Sequence, residues 1–138
     1  MQLKLNFQHL EFMRSHVETC APLEACGLLA GKDGSVREII VITNRAMSPV
    51  RFQMEPLEQI QAFNRMEAAG YELLGIFHSH PAGPPVPSAT DIAEAAYPVV
   101  QIIWSRLKDQ TDSGWQARGF WIEDGKALEV TLQMEEDE

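Results

Sequence analysis

The chain has 138 residues, 45% of them apolar and 22% charged, which allows one ordinary globular domain and argues against a disordered or fibrous chain. Its formal charge of -9 and pI near 4.8 argue against nucleic acid as a partner, because phosphate backbones are bound by clustered Lys and Arg. No apolar run reaches the roughly 18 residues that cross a bilayer, and Met1 to Asn6 lacks the apolar stretch of a signal peptide, so a cytoplasmic protein with no membrane partner is expected.

A short strand is predicted over Leu3 to Leu5. Asn6 then caps a helix in which Leu10, Met13, Val17 and Cys20 recur at three- and four-residue steps, until Pro22 stops it. His9 and His16 lie on this helix away from any ligand spacing and are expected to be exposed. Glu24 to Gly31, the Asp33-Gly34 turn and Val36 to Thr43 read as a buried hairpin. Cys20 and Cys26 fit neither a disulfide framework nor a thiolate zinc site and read as packed thiols. Cys26 shares strand parity with Glu24.

Pro56 opens a second helix through Leu57, Ile60, Phe63 and Met66, and Gly70 ends it. Glu72 to His80 is an apolar strand ending in two histidines. Four prolines between Pro81 and Pro87 make a stiff extended loop. Ser88 opens a third helix to about Tyr97. Val99 to Trp104, Trp115 to Ile122 and Ala127 to Met134 are predicted strands, separated by Asp112-Ser113-Gly114 and Asp124-Gly125. The chain therefore reads as one α/β (α+β) domain over residues 1–134, with a curved mixed β-sheet flanked by helices, and a solvated acidic tail over 135–138.

His78 and His80 are two apart on an extended segment, so both side chains leave the same face and can share one ion. A catalytic zinc needs a third protein ligand and an open position for water. The proline-rich loop can turn the chain back to offer Asp91. Ser88 and Asp91, three apart, also have the spacing of a helix capping box, and both readings stay open for them.

The string His78-Ser79-His80, seven residues from Pro81 to Pro87, Ser88, two more, and Asp91 resembles the signature of the JAMM (JAB/MPN+) metalloprotease family. Glu24, in Pro22-Leu23-Glu24-Ala25-Cys26-Gly27, matches that family's separate upstream glutamate. The resemblance covers nearly the whole chain and implies the JAB/MPN fold, similar to the cytidine-deaminase-like architecture. It implies one zinc ion per chain held by His78, His80 and Asp91, with Glu24 as the acid–base group on the metal water. Ser88 would then be the donor to the tetrahedral oxyanion.

The gripping insertions of polyubiquitin-cutting members are missing from this sequence, and its compact form looks like the prokaryotic branch. The implied substrate is a ubiquitin-like β-grasp protein of the sulfur-carrier type, cut at its C-terminal tail. Met47 to Met54, with Val50 and Phe52, is the expected groove for that tail, by strand addition. A noncatalytic interaction scaffold and a small-peptide or cell-wall peptide hydrolase are the alternatives, and a homodimer is left open. Deamination requires His-x-Glu and Pro-Cys-x-x-Cys, and the chain has neither.

Overall fold

Asn6 starts the first helix as its spacing predicts. Its side chain accepts the His9 N–H at 2.9 Å, and its own N–H donates to His9 Nδ1 at 3.1 Å, a capping box with histidine in the third position. A computed structural model describes residues 2–106 and 114–136. Their elements are β1 (Gln2–Leu5), α1 (Phe7–Cys20), β2 (Cys26–Lys32), β3 (Ser35–Ile42), α2 (Pro56–Ala69), β4 (Glu72–His80), α3 (Ala89–Glu94), β5 (Val100–Arg106), β6 (Trp115–Glu123) and β7 (Lys126–Met134).

The expected curved mixed sheet is present and closes on itself, in the order β1-β3-β2-β4-β5-β6-β7 with β1 parallel to both β3 and β7. Asp33 and Gly34 both take positive φ, 53° and 76°, as a two-residue turn between antiparallel strands requires. Asp124 and Gly125 repeat the device between β6 and β7. The predicted turn before β6 falls largely on Asp112 and Ser113, which lie outside the described residues.

Side chains alternate along β2, β4 and β5, so both faces of the central strands are covered. Leu29, Phe77 and Ile102 pack with Met13 and Val17 of α1, while Leu28, Ile76 and Ile42 pack with Ala62 and Met66 of α2. Gly27 lets β2 lie close to its neighbours, since a Cβ there would meet the Phe77 ring and the Ile40 carbonyl. This alternation carries straight into the site: His78 and His80 share the α2 side with Ile76, and Ser79 shares the α1 side with Phe77.

Four expectations are corrected. Glu24 precedes β2 instead of belonging to it, because its N–H goes to Ser48 O at 2.9 Å and no neighbouring strand takes it. The third helix ends at Glu94, not near Tyr97; Ala95 is extended, ψ 112°, and the residue before Pro98 is disfavoured in a helix. His9 and His16 are half-buried, one in the cap of α1 and the other edge-on to Phe77 with centroids 6.3 Å apart. Glu135 is tied down where a tail was expected, its N–H donating to Leu5 O at 2.8 Å and its carboxylate accepting from Ser35; Glu136 is exposed, and 137–138 lie outside the described residues.

Candidate metal centre

His78 and His80, both buried, project from the last turns of β4's pleat onto one face, and α3 brings Asp91 over them. His78 Nε2 and His80 Nε2 are 3.1 Å apart, and Asp91 Oδ2 lies 3.1 Å from the first and 3.0 Å from the second. Donor atoms held about 2.0 to 2.1 Å from a tetrahedral ion stand about 3.3 Å from one another. The three atoms thus form a nearly equilateral face of the right size for one small cation.

The tautomer of His80 follows from its other nitrogen. His80 Nδ1 is 2.8 Å from Pro84 O, a carbonyl that can only accept, so Nδ1 carries a proton and Nε2 is the nitrogen left to bind a cation. The proline-rich loop supplies this carbonyl, and a Cβ added at Gly83 would crowd the His80 side chain. Among the described residues the buried His78 Nδ1 has no hydrogen-bond partner, and the Phe52 ring covers the imidazole, centroids 4.5 Å apart.

Asp91 and Ser88 form the capping box of α3. Ser88 Oγ accepts the Asp91 N–H at 3.0 Å, and the Ser88 N–H donates to Asp91 Oδ2 at 2.9 Å. The two readings of these residues are therefore compatible: one carboxylate oxygen serves both the helix end and the histidines. The Ser88 hydroxyl, accepting from Asp91, still has its own proton to give.

Glu24 is 3% exposed and lies with the histidines, its carboxylate within 4.8 Å of a nitrogen of each. Its Oε1 is buried without a partner. Beside it, the Ala25 N–H donates to Ser79 Oγ at 2.8 Å and Ser79 N–H to Ala25 O at 3.1 Å, so the middle residue of His78-Ser79-His80 faces away from the cluster and ties β4 to the Glu24 segment. Ser79 escaped the sequence reading because only the strand register brings it to Ala25.

The electrostatics suit a site for a cation. Burial pushes the Glu24 carboxyl up to about 7, with His80 opposing and Asp91 adding to the shift. Burial pushes the His78 imidazole down, with Asp91 pulling the other way. Burial acts likewise on His80 but is outweighed by the Asp91 carboxylate and the Pro84 carbonyl, so its pKa is raised. Burial would raise Asp91, yet the hydrogen bonds to His78 and His80 hold it well below the usual carboxylate range. The Asp91 carboxylate is thus ionised, facing two imidazoles and a second acid.

Cys26 sits cross-strand from His78 but donates to Ile42 O at 3.3 Å and is pushed up to about 12, chiefly by burial, as a packed thiol should be. A cavity of about 350 Å³ opens next to the cluster, bounded by His78, Asp91, Phe52, Met54 and Tyr97. Phe52 and Met54 belong to the segment expected to form a groove, whereas Val50 is 75% exposed.

The family described as prokaryotic homologs of the JAB domain matches residues 8–118. The chain is 41% identical to a desampylase of Pyrococcus furiosus over 63% of this chain and 63% of that protein, so it spans under two thirds of that relative. It is 35% identical to a probable TtuB-protein conjugate cleaving protease of Thermus thermophilus, over 89% of this chain and 78% of the relative. It is 32% identical to a CysO-cysteine peptidase of Mycobacterium tuberculosis, over 90% and 85%. Among solved structures, a protein of Desulfitobacterium hafniense is similar with a TM-score of 0.87 and 34% identity, covering 99% of this chain and 94% of that one. The chain belongs to the family of prokaryotic homologs of the JAB domain.

Proposed function

We propose that the protein is a zinc-dependent peptidase that hydrolyses an amide bond at the C-terminal tail of a ubiquitin-like β-grasp protein of the sulfur-carrier type. The observation that carries this reading is the triangle of His78 Nε2, His80 Nε2 and Asp91 Oδ2, 3.0 to 3.1 Å on a side, beside the buried carboxylate of Glu24. In this reading His78, His80 and Asp91 hold the zinc.

Zinc held by these residues would lower the pKa of a water toward about 7 and polarise a carbonyl. Glu24 would hold the proton released by the attacking water and pass it to the leaving amine. Burial raises the Glu24 carboxyl, which favours its taking up a proton. Ser88 gives its free hydroxyl proton in a hydrogen bond to the developing oxyanion, a contact worth about 3 kcal/mol where it has been removed elsewhere. Phe52 and Met54 line the cavity beside the cluster, and the extended tail lies in the groove beside Met47 to Met54.

The substrate class is supported by the relatives, a probable TtuB-protein conjugate cleaving protease in Thermus and a CysO-cysteine peptidase in Mycobacterium. The decisive experiment pairs metal analysis of the purified chain with mass spectrometry of a C-terminally extended β-grasp protein, comparing the native enzyme with Glu24→Gln. Zinc in both proteins and cleavage only by the first is the expected result. Equal cleavage by the two would remove Glu24 from the mechanism.

A further inference from the structure

Glu24 lies just before β2, so no strand ladder fixes its backbone, and among the described residues its Oε1 has no hydrogen-bond partner to aim it. What holds it is the strap between β3 and α2. Ser48 O accepts the Glu24 N–H at 2.9 Å, and Asn44 Nδ2 donates to the Glu24 carbonyl at 3.0 Å.

Asn44 uses its whole side chain in this strap. Nδ2 also donates to Arg51 O at 3.1 Å, and Oδ1 accepts the N–H groups of Ala46 and Gln53, each at 3.0 Å. A primary amide has two N–H donors and an oxygen with two lone pairs, so all four are engaged. The orientation of the amide is unambiguous, because a flipped group would set donors against donors and acceptors against acceptors at every contact. The same strap bridges Asn44 to Met54, joins Arg45 N–H to Gln53 O at 2.7 Å, and lays Phe52 on His78. One side chain therefore links the wall of the cavity to the backbone of Glu24.

We propose that Asn44 is a positioning residue: it sets the Glu24 carboxylate against His78 and His80, and it couples that placement to the Arg51 to Met54 segment along which the tail lies. The inference rests on the reading of Glu24 as the proton acceptor. Asn44 touches neither the reacting atoms nor the ligand triangle, and it acts only through the main chain of its neighbours.

Asn44→Asp separates this role from general support of the strap. The aspartate keeps an oxygen for the Ala46 and Gln53 N–H groups, loses both donors, and so cuts the ties to Glu24 and Arg51; Asn44→Ala removes all four bonds. The first readout is independent of catalysis: amide hydrogen exchange across the full chain, by NMR. The Glu24 amide is expected to exchange about tenfold faster in Asn44→Asp, while Leu28 and Ile102 in the central strands keep their rates. The second readout is cleavage of the extended β-grasp protein by the zinc-loaded enzyme. Here kcat is expected to fall about tenfold or more with KM within about threefold, and zinc content to stay unchanged.

An unchanged Glu24 exchange rate overturns the proposal whatever the activity does. So does faster exchange that extends equally to Leu28 and Ile102, or a loss of zinc, since either marks general loosening. If Glu24→Gln cleaves like the native enzyme, the proton-transfer reading fails; selective exchange at Glu24 in Asn44→Asp would then still support the positional tie.

Discussion

Phe52 and His78 lie nearly parallel, ring planes 26° apart and centroids 4.5 Å apart, so a residue 26 positions upstream forms one wall of the imidazole's environment. Phe52→Ala removes a contact of the kind worth about 0.5 to 1.5 kcal/mol and opens the cavity beside His78 and Asp91. Zinc affinity, read by competition with a chromophoric chelator, is expected to weaken about two- to tenfold, and KM for the extended β-grasp substrate to rise. Unchanged zinc affinity and unchanged KM would show that the stack is incidental.

Ser88 has two assignments with different magnitudes. As the cap of a six-residue helix its loss costs about 0.5 to 2 kcal/mol of stability. As the oxyanion donor its loss costs about 100- to 1,000-fold in kcat. Ser88→Ala is expected to do both, so urea unfolding and steady-state kinetics are measured on the same preparation. A variant that is less stable but turns over at the native rate would leave Ser88 a cap and nothing more.

The two cysteines differ in their surroundings. Cys26 is fully buried and pushed up to about 12 by that burial, whereas Cys20 is half-buried and raised for the same reason. With a pKa near 12, only about one molecule in 10,000 carries the Cys26 thiolate at pH 8, and thiolate is the reactive form. Iodoacetamide on the native protein, followed by intact-mass and peptide analysis, is expected to modify Cys20 slowly and Cys26 not at all. Equal labelling of both would contradict the packing described for Cys26.

His16 gives a pH signature to stability. Its imidazole is pushed down by burial, so the unfolded chain binds a proton more readily than the folded one. For a base shifted in this direction the stabilisation is complete above the unfolded value of about 6.5, and it declines as pH falls from there toward the folded pKa. Urea unfolding midpoints of the native protein should therefore drop below pH 6.5 by more than those of His16→Gln. Parallel pH dependences would assign the acid sensitivity to other groups.

Much of the site is legible in the chain itself wherever the geometry is local. The two-residue period of an extended strand puts His78 and His80 on one face, and the three-residue reach of a capping box joins Ser88 to Asp91. Asn6, Pro56, Gly70 and the Asp33-Gly34 pair mark their helix ends and turn for the same reason, since each acts on backbone within four residues. The motif as a whole then points to the family and to Glu24.

The rest was decided by contacts that no local period encodes. Ser79 reaches Ala25 across 54 positions, Asn44 reaches the Glu24 carbonyl across 20, and Phe52 reaches His78, each because β2 and β4 pair in one particular register and the strap folds back over their ends. Closure of the sheet through β1 depends likewise on pairing its four residues with β7 near the end of the chain and Lys4 with Ser35 of β3. The sequence by itself determined which side chains meet as candidate ligands, because backbone geometry aims neighbouring side chains within a turn or a pleat. Only the tertiary structure decided how Glu24 is mounted beside them, because its position is set by hydrogen bonds between segments that meet only after the strands have found their order.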